Sequence, residues 1–97
     1  MPTDAWLARF GTDFDSLTSR QQTAFLSVIE AFVADLSAGT GFRASLRVKG
    51  VKGARGVFEL TWAPDGRATF EYGGTIAEGE PHIIWRRVGT HAIFDKP

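Results

Sequence analysis

The chain has 97 residues, of which 43% are hydrophobic and 23% are charged, and this size and balance predict a single globular domain over residues 1–97. It has no cysteine and no apolar run near the roughly 20 residues that cross a bilayer, which excludes disulfides, thiolate metal sites and a helical membrane anchor. The formal net charge is zero and the first residues lack a secretory pattern, so we expect a small cytoplasmic protein.

Two short segments precede the first clear helix. Trp6, Leu7 and Phe10 fit a short strand, and residues 12–17 fit one helical turn that Thr12 would cap. Both segments are too short for their periodicity to distinguish a strand from a helix.

Residues 19–38 are predicted to form a long amphipathic helix. Thr18 and Gln21 have the spacing of a capping box, in which a hydroxyl and an amide satisfy backbone groups at the start of a helix. Apolar residues between positions 25 and 36 recur every three or four residues and so share one helical face. Gly39 then supplies the left-handed conformation that commonly ends a helix.

The segment after the helix is strongly basic. Residues 43–55 contain no anion and five cations, which are Arg43, Arg47, Lys49, Lys52 and Arg55. The formal charge of residues 1–40 is −3 and that of residues 41–97 is +3. Such a local charge attracts polyanions even when the whole molecule is neutral, although a solvated basic loop has the same composition.

The C-terminal half predicts strands. In residues 57–63 every second residue is large and apolar, and residues 67–72 alternate in the same way. Between them, residues 63–66 read Ala-Pro-Asp-Gly, a turn sequence that joins the two strands into an antiparallel hairpin. Residues 82–88 are rich in β-branched and aromatic side chains and predict a further strand.

These elements predict an α+β fold, a small two-layer sandwich. The N-terminal helices are expected to pack on one face of a three- to four-stranded antiparallel sheet, because each layer has one apolar face to bury. The other face of the sheet is expected to be open to solvent and to carry the polar residues of the strands.

A few polar residues are candidates for chemistry. Arg67 lies in the polar register of its strand, where its guanidinium can bind a phosphate or pair with a glutamate of a neighbouring strand. Arg86 and Arg87 are adjacent in a strand, so we expect them on opposite faces, with at most one of them at a site. His91 follows the last strand; it can transfer a proton near neutral pH, or it can be an incidental polar residue.

Several function classes are disfavoured. The two histidines and the scattered carboxylates show no spacing typical of a metal site. The segment Lys-Gly-Val-Lys-Gly at residues 49–53 lacks the spacing of a phosphate-binding loop, and no serine-hydrolase motif is present. We therefore expect no metal and no cofactor.

The order of the segments is typical of a known family. The long helix is followed by LRVKG at residues 46–50, by the hairpin of residues 57–72 and by IWRRVGTHAIF at residues 84–94. In these motifs the chain resembles the RelE/ParE superfamily, the toxins of type II toxin–antitoxin modules. The resemblance implies a small antiparallel sheet packed by N-terminal helices. RelE-like members cleave mRNA, commonly in the ribosomal A site, whereas ParE-like members poison DNA gyrase.

The resemblance also implies roles for individual residues. Arg67 matches a phosphate-binding arginine of the second strand motif, and His91 matches a terminal site position that holds arginine or histidine in different members. The residues expected to hold RNA are Lys49, Lys52 and Arg55, with Arg47 beside them. The sequence departs from the pattern at Thr61-Trp62, where an arginine often ends the first strand, and at Phe94, where a tyrosine is common.

The reaction implied is metal-independent transesterification, in which the RNA 2′-hydroxyl attacks the adjacent phosphate. We expect His91 to transfer a proton, as a general acid rather than as a base, while Arg67 and one of Arg86 and Arg87 neutralise the phosphate. Glu59 and a backbone group are both candidates for the second proton acceptor.

The resemblance leaves more than one function open. The implied partners of a nuclease are mRNA, the ribosome and a cognate antitoxin whose acidic segment covers the basic surface. The alternatives are a ParE-like toxin that inhibits gyrase without cleaving RNA, and a degenerate, non-catalytic binding module.

Overall fold

The computed structural model describes residues 2–76 and 78–97. Its strands are β1 (Thr3–Trp6), β2 (Lys49–Gly50), β3 (Phe58–Thr61), β4 (Arg67–Tyr72) and β5 (His82–Gly89). Its helices are α1 (Ala8–Ser16), α2 (Ser19–Ala38) and two 3₁₀ helices, Ala44–Leu46 and His91–Asp95. Within the described residues, no helix is long and apolar enough to cross a membrane.

Helix α2 confirms the prediction made for the long helix at both of its ends. The Thr18 hydroxyl accepts from the Gln21 amide at 3.1 Å, and the Gln21 side chain accepts from the Thr18 amide at 2.8 Å. Gly39 ends the helix in the left-handed conformation, with φ of 71°. Helix α1 differs from its prediction, because it begins at Ala8 and Thr12 lies within it rather than capping it.

The sheet has five strands in the order β1-β5-β4-β3-β2, which is one more than the upper limit of the prediction. The three pairings among strands β2 to β5 are antiparallel, as expected, and include the predicted hairpin. The added strand is β1, which pairs with β5 in parallel from Thr3 to Trp6. The short strand expected around Trp6, Leu7 and Phe10 therefore lies earlier, and Phe10 belongs to α1 instead. The parallel pairing of β1 with a strand almost eighty residues away has no local signal.

The core lies between the sheet and the two helices, which confirms the α+β sandwich. Phe32 of α2 is almost fully buried, and its ring centre lies 5.0 Å from that of Phe70 on β4 and 5.3 Å from that of Trp85 on β5. Leu60 and Val88 complete the buried face of the neighbouring strands. Each such side chain contributes roughly 1.5–3 kcal/mol when it is fully buried.

Strand β5 carries a bulge at Arg86. Thr69 of β4 pairs with Arg87 and the next β4 residue pairs with Trp85, so Arg86 is the extra residue. Trp85 and Val88 are therefore both buried on the helix side although they are three positions apart. Arg86 and Arg87 both reach the C-terminal residues on the other side. The expectation that these two arginines point to opposite faces is wrong, because it assumed a strand without a bulge.

The C-terminal residues cover part of the sheet face that was expected to be open. The Thr69 hydroxyl and Arg86 Nε both donate to the Pro97 carbonyl at 3.1 Å. Arg87 Nη1 donates to the Lys96 carbonyl, also at 3.1 Å. Thr69 is fully buried beneath these residues, so the solvated part of the face lies beside the C-terminal segment.

Candidate active site

His91 and Asp65 form a close pair at the surface. His91 Nδ1 lies 2.6 Å from Asp65 Oδ1, and the side chains are 60% and 67% exposed. The hydrogen bond with His91 lowers the pKa of Asp65 below its ordinary value, and the charge of Arg67 acts in the same direction. With Nδ1 donating to the carboxylate, Nε2 is the ring nitrogen left to face a ligand.

The turn between β3 and β4 supplies Asp65, and close packing determines its shape. Gly66 closes the turn by donating its amide to the Ala63 carbonyl at 2.9 Å. A Cβ atom at Gly66 would lie 2.6 Å from the Trp62 ring, so only glycine fits there without a shift. On the other side of the pair, the Phe94 ring meets the His91 ring edge to face, with centres 5.7 Å apart. Both members of the pair are thus held by their neighbours.

Arg67 lies against the same turn. Its Nη1 donates to the carbonyls of Ala63 and Pro64 at 3.3 Å and to that of Gly66 at 2.9 Å. In the sheet it pairs with Gly89, two residues before His91. The structure therefore brings Arg67 and His91 together around residues 63–66. Within the described residues, Arg67 Nε and Nη2 make no hydrogen bond, so they can donate to a ligand.

A basic groove leads away from this turn. It has a volume of about 700 Å³ and extends between α2, the 3₁₀ helix Ala44–Leu46 and the end of β3. No carboxylate lines it among the residues that the structure describes. Its polar side chains are three hydroxyls and three guanidinium groups, those of Ser27, Ser45, Thr61, Arg43, Arg47 and Arg67. The groove can therefore hold a polyanion beside the His91 pair.

Two of the groove's arginines were predicted site residues, and the third was not. Asp35 holds Arg43 through two bonds of 2.9 Å to the guanidinium and one of 2.9 Å to the backbone amide. These hydrogen bonds lower the pKa of Asp35 from 3.8 to about 2. Arg47 adopts a left-handed backbone with φ of 49° at the end of the 3₁₀ helix, and its side chain is exposed.

The other predicted RNA-binding residues lie on or next to β2. Lys49 faces Glu59 across the β2–β3 pair, with Nζ 3.9 Å from the carboxylate, which gives an exposed and weak ion pair. Lys52 and Arg55 lie in the loop between these strands and are exposed. In the described part of the chain, neither of these two side chains forms an ion pair or a side-chain hydrogen bond.

Arg86 and Arg87 occupy a separate cluster. Arg87 binds both carboxylate oxygens of Asp13 on α1, at 2.6 and 3.1 Å, and this contact raises the pKa of Arg87. Arg86 lies 3.3 Å from the carboxylate of Glu71. Within the described residues, no hydrogen bond joins either guanidinium to His91 or to Arg67. Their phosphate-binding role stays a prediction.

Sequence reasoning missed Asp65 and Asp13, each for its own reason. Asp65 was recognised only as a turn residue, and its position in the Ala-Pro-Asp-Gly turn was the available signal. Asp13 had no signal, because its partner Arg87 is 74 residues away. Among the described residues, no group of three or more potential metal ligands comes together.

Neither a family model nor a curated protein matches this sequence. Solved structures do match it. A chain of the E. coli DinJ–YafQ toxin–antitoxin complex is 13% identical, with a TM-score of 0.68 over 94% of this chain and 93% of that chain. The YoeB/ParE toxin from Agrobacterium tumefaciens is also 13% identical, with a TM-score of 0.66 over 92% of this chain and 98% of that chain. This chain has the fold of the RelE/ParE toxins.

A third match extends the same result to an archaeal structure. A chain of the RelB–RelE antitoxin–toxin complex from Methanococcus jannaschii is 17% identical, with a TM-score of 0.60 over 95% of this chain and 96% of that chain. The three matches cover 92–95% of this chain and 93–98% of the matched chains, so the likeness extends over nearly the whole fold. At these identities the agreement concerns the fold, and the chemistry has to be argued from the residues.

Proposed function

We propose that the chain is the toxin of a type II toxin–antitoxin module and that it cleaves mRNA without a metal ion. The observation that carries the proposal is the His91–Asp65 pair, 2.6 Å apart, beside Arg67 and the basic groove in a RelE/ParE fold. A histidine, a carboxylate and clustered guanidinium groups are the side chains that RNA transesterification uses.

In this scheme the 2′-hydroxyl of one nucleotide attacks the adjacent phosphorus. The new 2′-oxygen–phosphorus bond forms as the bond to the 5′-oxygen of the next nucleotide breaks, which yields a 2′,3′-cyclic phosphate and a free 5′-hydroxyl. His91, oriented by Asp65, donates the proton from Nε2 to the departing 5′-oxygen, and the attacking hydroxyl releases its proton to water. Arg67 stabilises the charge that develops on the phosphate oxygens.

The groove supplies the binding energy for the strand. We propose that Arg43 and Arg47 bind the nucleotides on one side of the cleaved bond. The cations on and beside β2 attract the RNA from a longer distance; these are Lys49, Lys52 and Arg55. Glu59, a candidate for the second proton acceptor, faces Lys49 instead of the turn, which argues against that role.

The test compares the two histidines of the chain. We expect inducible expression of the wild type to produce new transcript ends. We also expect the purified protein to cleave RNA, either alone or once ribosomes are added. His91→Ala should abolish cleavage, whereas His82→Ala, which alters a residue that contacts Thr3, should retain it. Cleavage by His91→Ala at the wild-type rate would refute the assignment.

A cognate antitoxin is part of the same proposal. Three of the matching structures are complexes of a toxin with an antitoxin, two of DinJ–YafQ and one of RelB–RelE. We propose that an acidic segment of the antitoxin covers the basic groove, and such an association is faster at low salt than at high salt. An association rate that does not change with ionic strength would contradict the proposal that the antitoxin binds through its acidic segment.

One observation favours a second candidate, a ParE-like toxin that does not cleave RNA. Arg67, Arg86 and Arg87 each donate to groups of the chain itself, so part of their capacity to bind phosphate is already used. Gyrase activity measured beside RNA cleavage separates the two candidates. Gyrase-dependent DNA damage with intact RNA would favour the second.

A further inference from the structure

His91 is the first residue of a very short helix. The 3₁₀ helix His91–Asp95 has five residues. Helices of this type have poorer hydrogen-bond geometry than α-helices, and a single turn depends on contacts with the rest of the fold. The His91 side chain provides little of that support, because it is 60% exposed. The position of the proposed general acid therefore depends on how the other residues of this helix are held.

Ile93 fixes the middle of the helix. It is 4% exposed, and a Cβ atom at Gly89 would lie 3.0 Å from its Cγ2, so its side chain packs against the end of β5. The Thr90 hydroxyl accepts from the Ala92 amide at 3.3 Å and caps the first turn. One buried side chain holds the helix in place but leaves it able to tilt about that point. A second contact is needed to fix its direction.

The residues after the helix supply this second contact. The Lys96 amide donates to the Ile93 carbonyl at 3.1 Å, which joins the segment to the last turn of the helix. The Pro97 carbonyl accepts from the Thr69 hydroxyl and from Arg86 Nε, both at 3.1 Å. These two bonds use both lone pairs of the carbonyl oxygen. We call the Pro97 carbonyl with Thr69 and Arg86 the C-terminal clamp.

The bulge in β5 brings Arg86 to the C-terminal clamp. In a regular strand Arg86 and Arg87 would lie on opposite faces, because side chains alternate. The bulge places both on the side away from the helices, where Arg86 Nε reaches the Pro97 carbonyl. Its Nη1 lies 3.3 Å from the Glu71 carboxylate, which orients the guanidinium. Bulges often direct a side chain towards an active site in this way.

Thr69 has no surface with which to touch RNA. It is fully buried, and its hydroxyl donates to the Pro97 carbonyl. An effect of Thr69 on the reaction therefore has to pass through the C-terminal clamp. Arg87 Nη1 also donates to the Lys96 carbonyl, but Arg87 binds Asp13 as well, so its substitution would disturb the fold. Thr69 and Arg86 are the informative positions.

We propose that Thr69 and Arg86 are positioning residues for His91. Together they hold the Pro97 carbonyl. The short helix then keeps a fixed direction, and the His91 ring stays on Asp65. This role rests on the proposed function, in which His91 is the general acid, and for Arg86 it replaces the predicted neutralisation of the phosphate. A displacement of about 1 Å at a reacting group can lower a rate on the order of 10²-fold, so the clamp acts on kcat.

Thr69→Val and Thr69→Ser test the C-terminal clamp in the full chain. Valine keeps the volume and removes the donor, whereas serine keeps the donor. We expect Thr69→Val to lower kcat for RNA cleavage about tenfold with KM unchanged, and Thr69→Ser to recover most of the lost rate. Affinity for fully 2′-O-methylated RNA, which lacks the attacking hydroxyl and so reports binding alone, should be unchanged in both. A wild-type kcat in Thr69→Val overturns the proposal.

Arg86→Gln distinguishes positioning from phosphate binding. We expect it to lower kcat as Thr69→Val does, with RNA affinity and its salt dependence unchanged. A phosphate ligand would instead contribute about 0.7 to the slope of log affinity against log salt on a single strand. Because Thr69 and Arg86 act through one carbonyl, the double variant should lose little more than either single variant. A smaller salt slope in Arg86→Gln, or losses of kcat that multiply, would assign Arg86 to the phosphate and contradict the proposal.

Two further measurements separate the clamp from a general loss of structure and from the proposed function itself. Ile29→Val, in a half-buried position of α2, should lower the melting temperature without lowering kcat. A loss of kcat in Ile29→Val as well would make reduced stability the cause and overturn the positioning role. The ring nitrogen resonances of His91 report its contact with Asp65 and should change in Thr69→Val but not in Thr69→Ser. Absence of cleavage by the wild type would overturn the proposed function, whereas unchanged His91 resonances in Thr69→Val would overturn the clamp.

Discussion

The two polar clusters around β5 are built in opposite ways. The His91–Asp65 pair joins a hairpin turn to a 3₁₀ helix at the surface, and both side chains are more than half exposed. The Arg87–Asp13 pair joins β5 to α1, and both side chains are below 20% exposed. Asp13 also accepts from the Val88 amide at 3.2 Å, so one carboxylate holds a guanidinium and the backbone of a strand.

This difference distinguishes the exposed pair that we propose to act in chemistry from a less exposed pair that stabilises the fold. An exposed ion pair contributes only about 0–1 kcal/mol to folding, so the His91 pair can be changed without loss of the fold. Hydrogen bonds to charged groups away from solvent contribute about 1.5–3 kcal/mol each, and removing one partner leaves the other unsatisfied. We therefore expect substitutions at the first cluster to affect activity and those at the second to affect folding.

The largest expected effect is on catalysis, in Asp65→Asn. The amide keeps the shape of the side chain and loses the carboxylate that accepts the hydrogen bond from His91 Nδ1 and orients the ring. The cleavage rate should fall at least tenfold, towards the roughly 10²–10⁴-fold contribution of a complete general acid. The melting temperature and the affinity for RNA should be unchanged. A drop in RNA affinity without a change in kcat would show that Asp65 acts in binding, and would contradict the proposal that the His91–Asp65 pair acts in the chemical step.

The second effect is on stability, in Asp13→Ala. This change leaves Arg87 without its carboxylate and the Val88 amide without its acceptor, so the free energy of unfolding should fall by about 2–4 kcal/mol. Urea denaturation measures it. The control is Asp15→Ala, two residues further along the same helix. The Asp15 side chain is exposed and has no partner among the described residues, so this change should alter stability by less than about 0.5 kcal/mol. Similar losses in both variants would mean that helix α1 itself, and not the Arg87 contact, is sensitive.

A smaller loss is expected in Thr69→Val, which tests how the C-terminal residues are held on the sheet. Valine fills the same volume but cannot donate to the Pro97 carbonyl, so unfolding should become about 1 kcal/mol easier. Thr61→Val on β3 is the control, because in the described residues the Thr61 hydroxyl makes no side-chain hydrogen bond. If both variants lose the same stability, valine on this sheet face is the cause and the contact with Pro97 is not.

The features that sequence reasoning predicted correctly have local signals. The capping box at Thr18 and the glycine at position 39 gave both ends of α2, and the Pro-Asp-Gly turn gave the hairpin that carries Asp65 and Arg67. The features it missed depend on residues far apart in the chain. The parallel pairing of β1 with β5, the bulge at Arg86 and the position of Lys96 and Pro97 across the sheet all follow from tertiary packing.

The residues of the candidate site show the same distinction between local signals and contacts that depend on distant residues. His91 and Arg67 could be chosen as single residues from their chemistry and from the family resemblance, and their closeness follows from the pairing of Arg67 with Gly89. Asp65 could not be identified as a site residue, because the turn already accounts for the Pro-Asp-Gly sequence and the aspartate needs no further role. Arg43 was visible only as one cation of a basic segment, since its contact with Asp35 exists only once the chain has folded back along α2.

The smallest expected effect concerns Asp35, which holds the exposed Arg43 side chain at the groove. Hydrogen bonds from Arg43 lower the pKa of Asp35 from 3.8 to about 2, so the folded protein favours the charged carboxylate more than the unfolded chain does. This contribution to stability is fully present above about pH 4 and is lost as the pH falls towards 2. Asp35→Asn should therefore be less stable than the wild type at neutral pH, and the difference should shrink as the solution is acidified through this range. Urea denaturation at a series of pH values measures the difference. A difference that stays constant down to pH 2 would mean that the charge of Asp35 is unimportant and that the groove is ordered by other contacts.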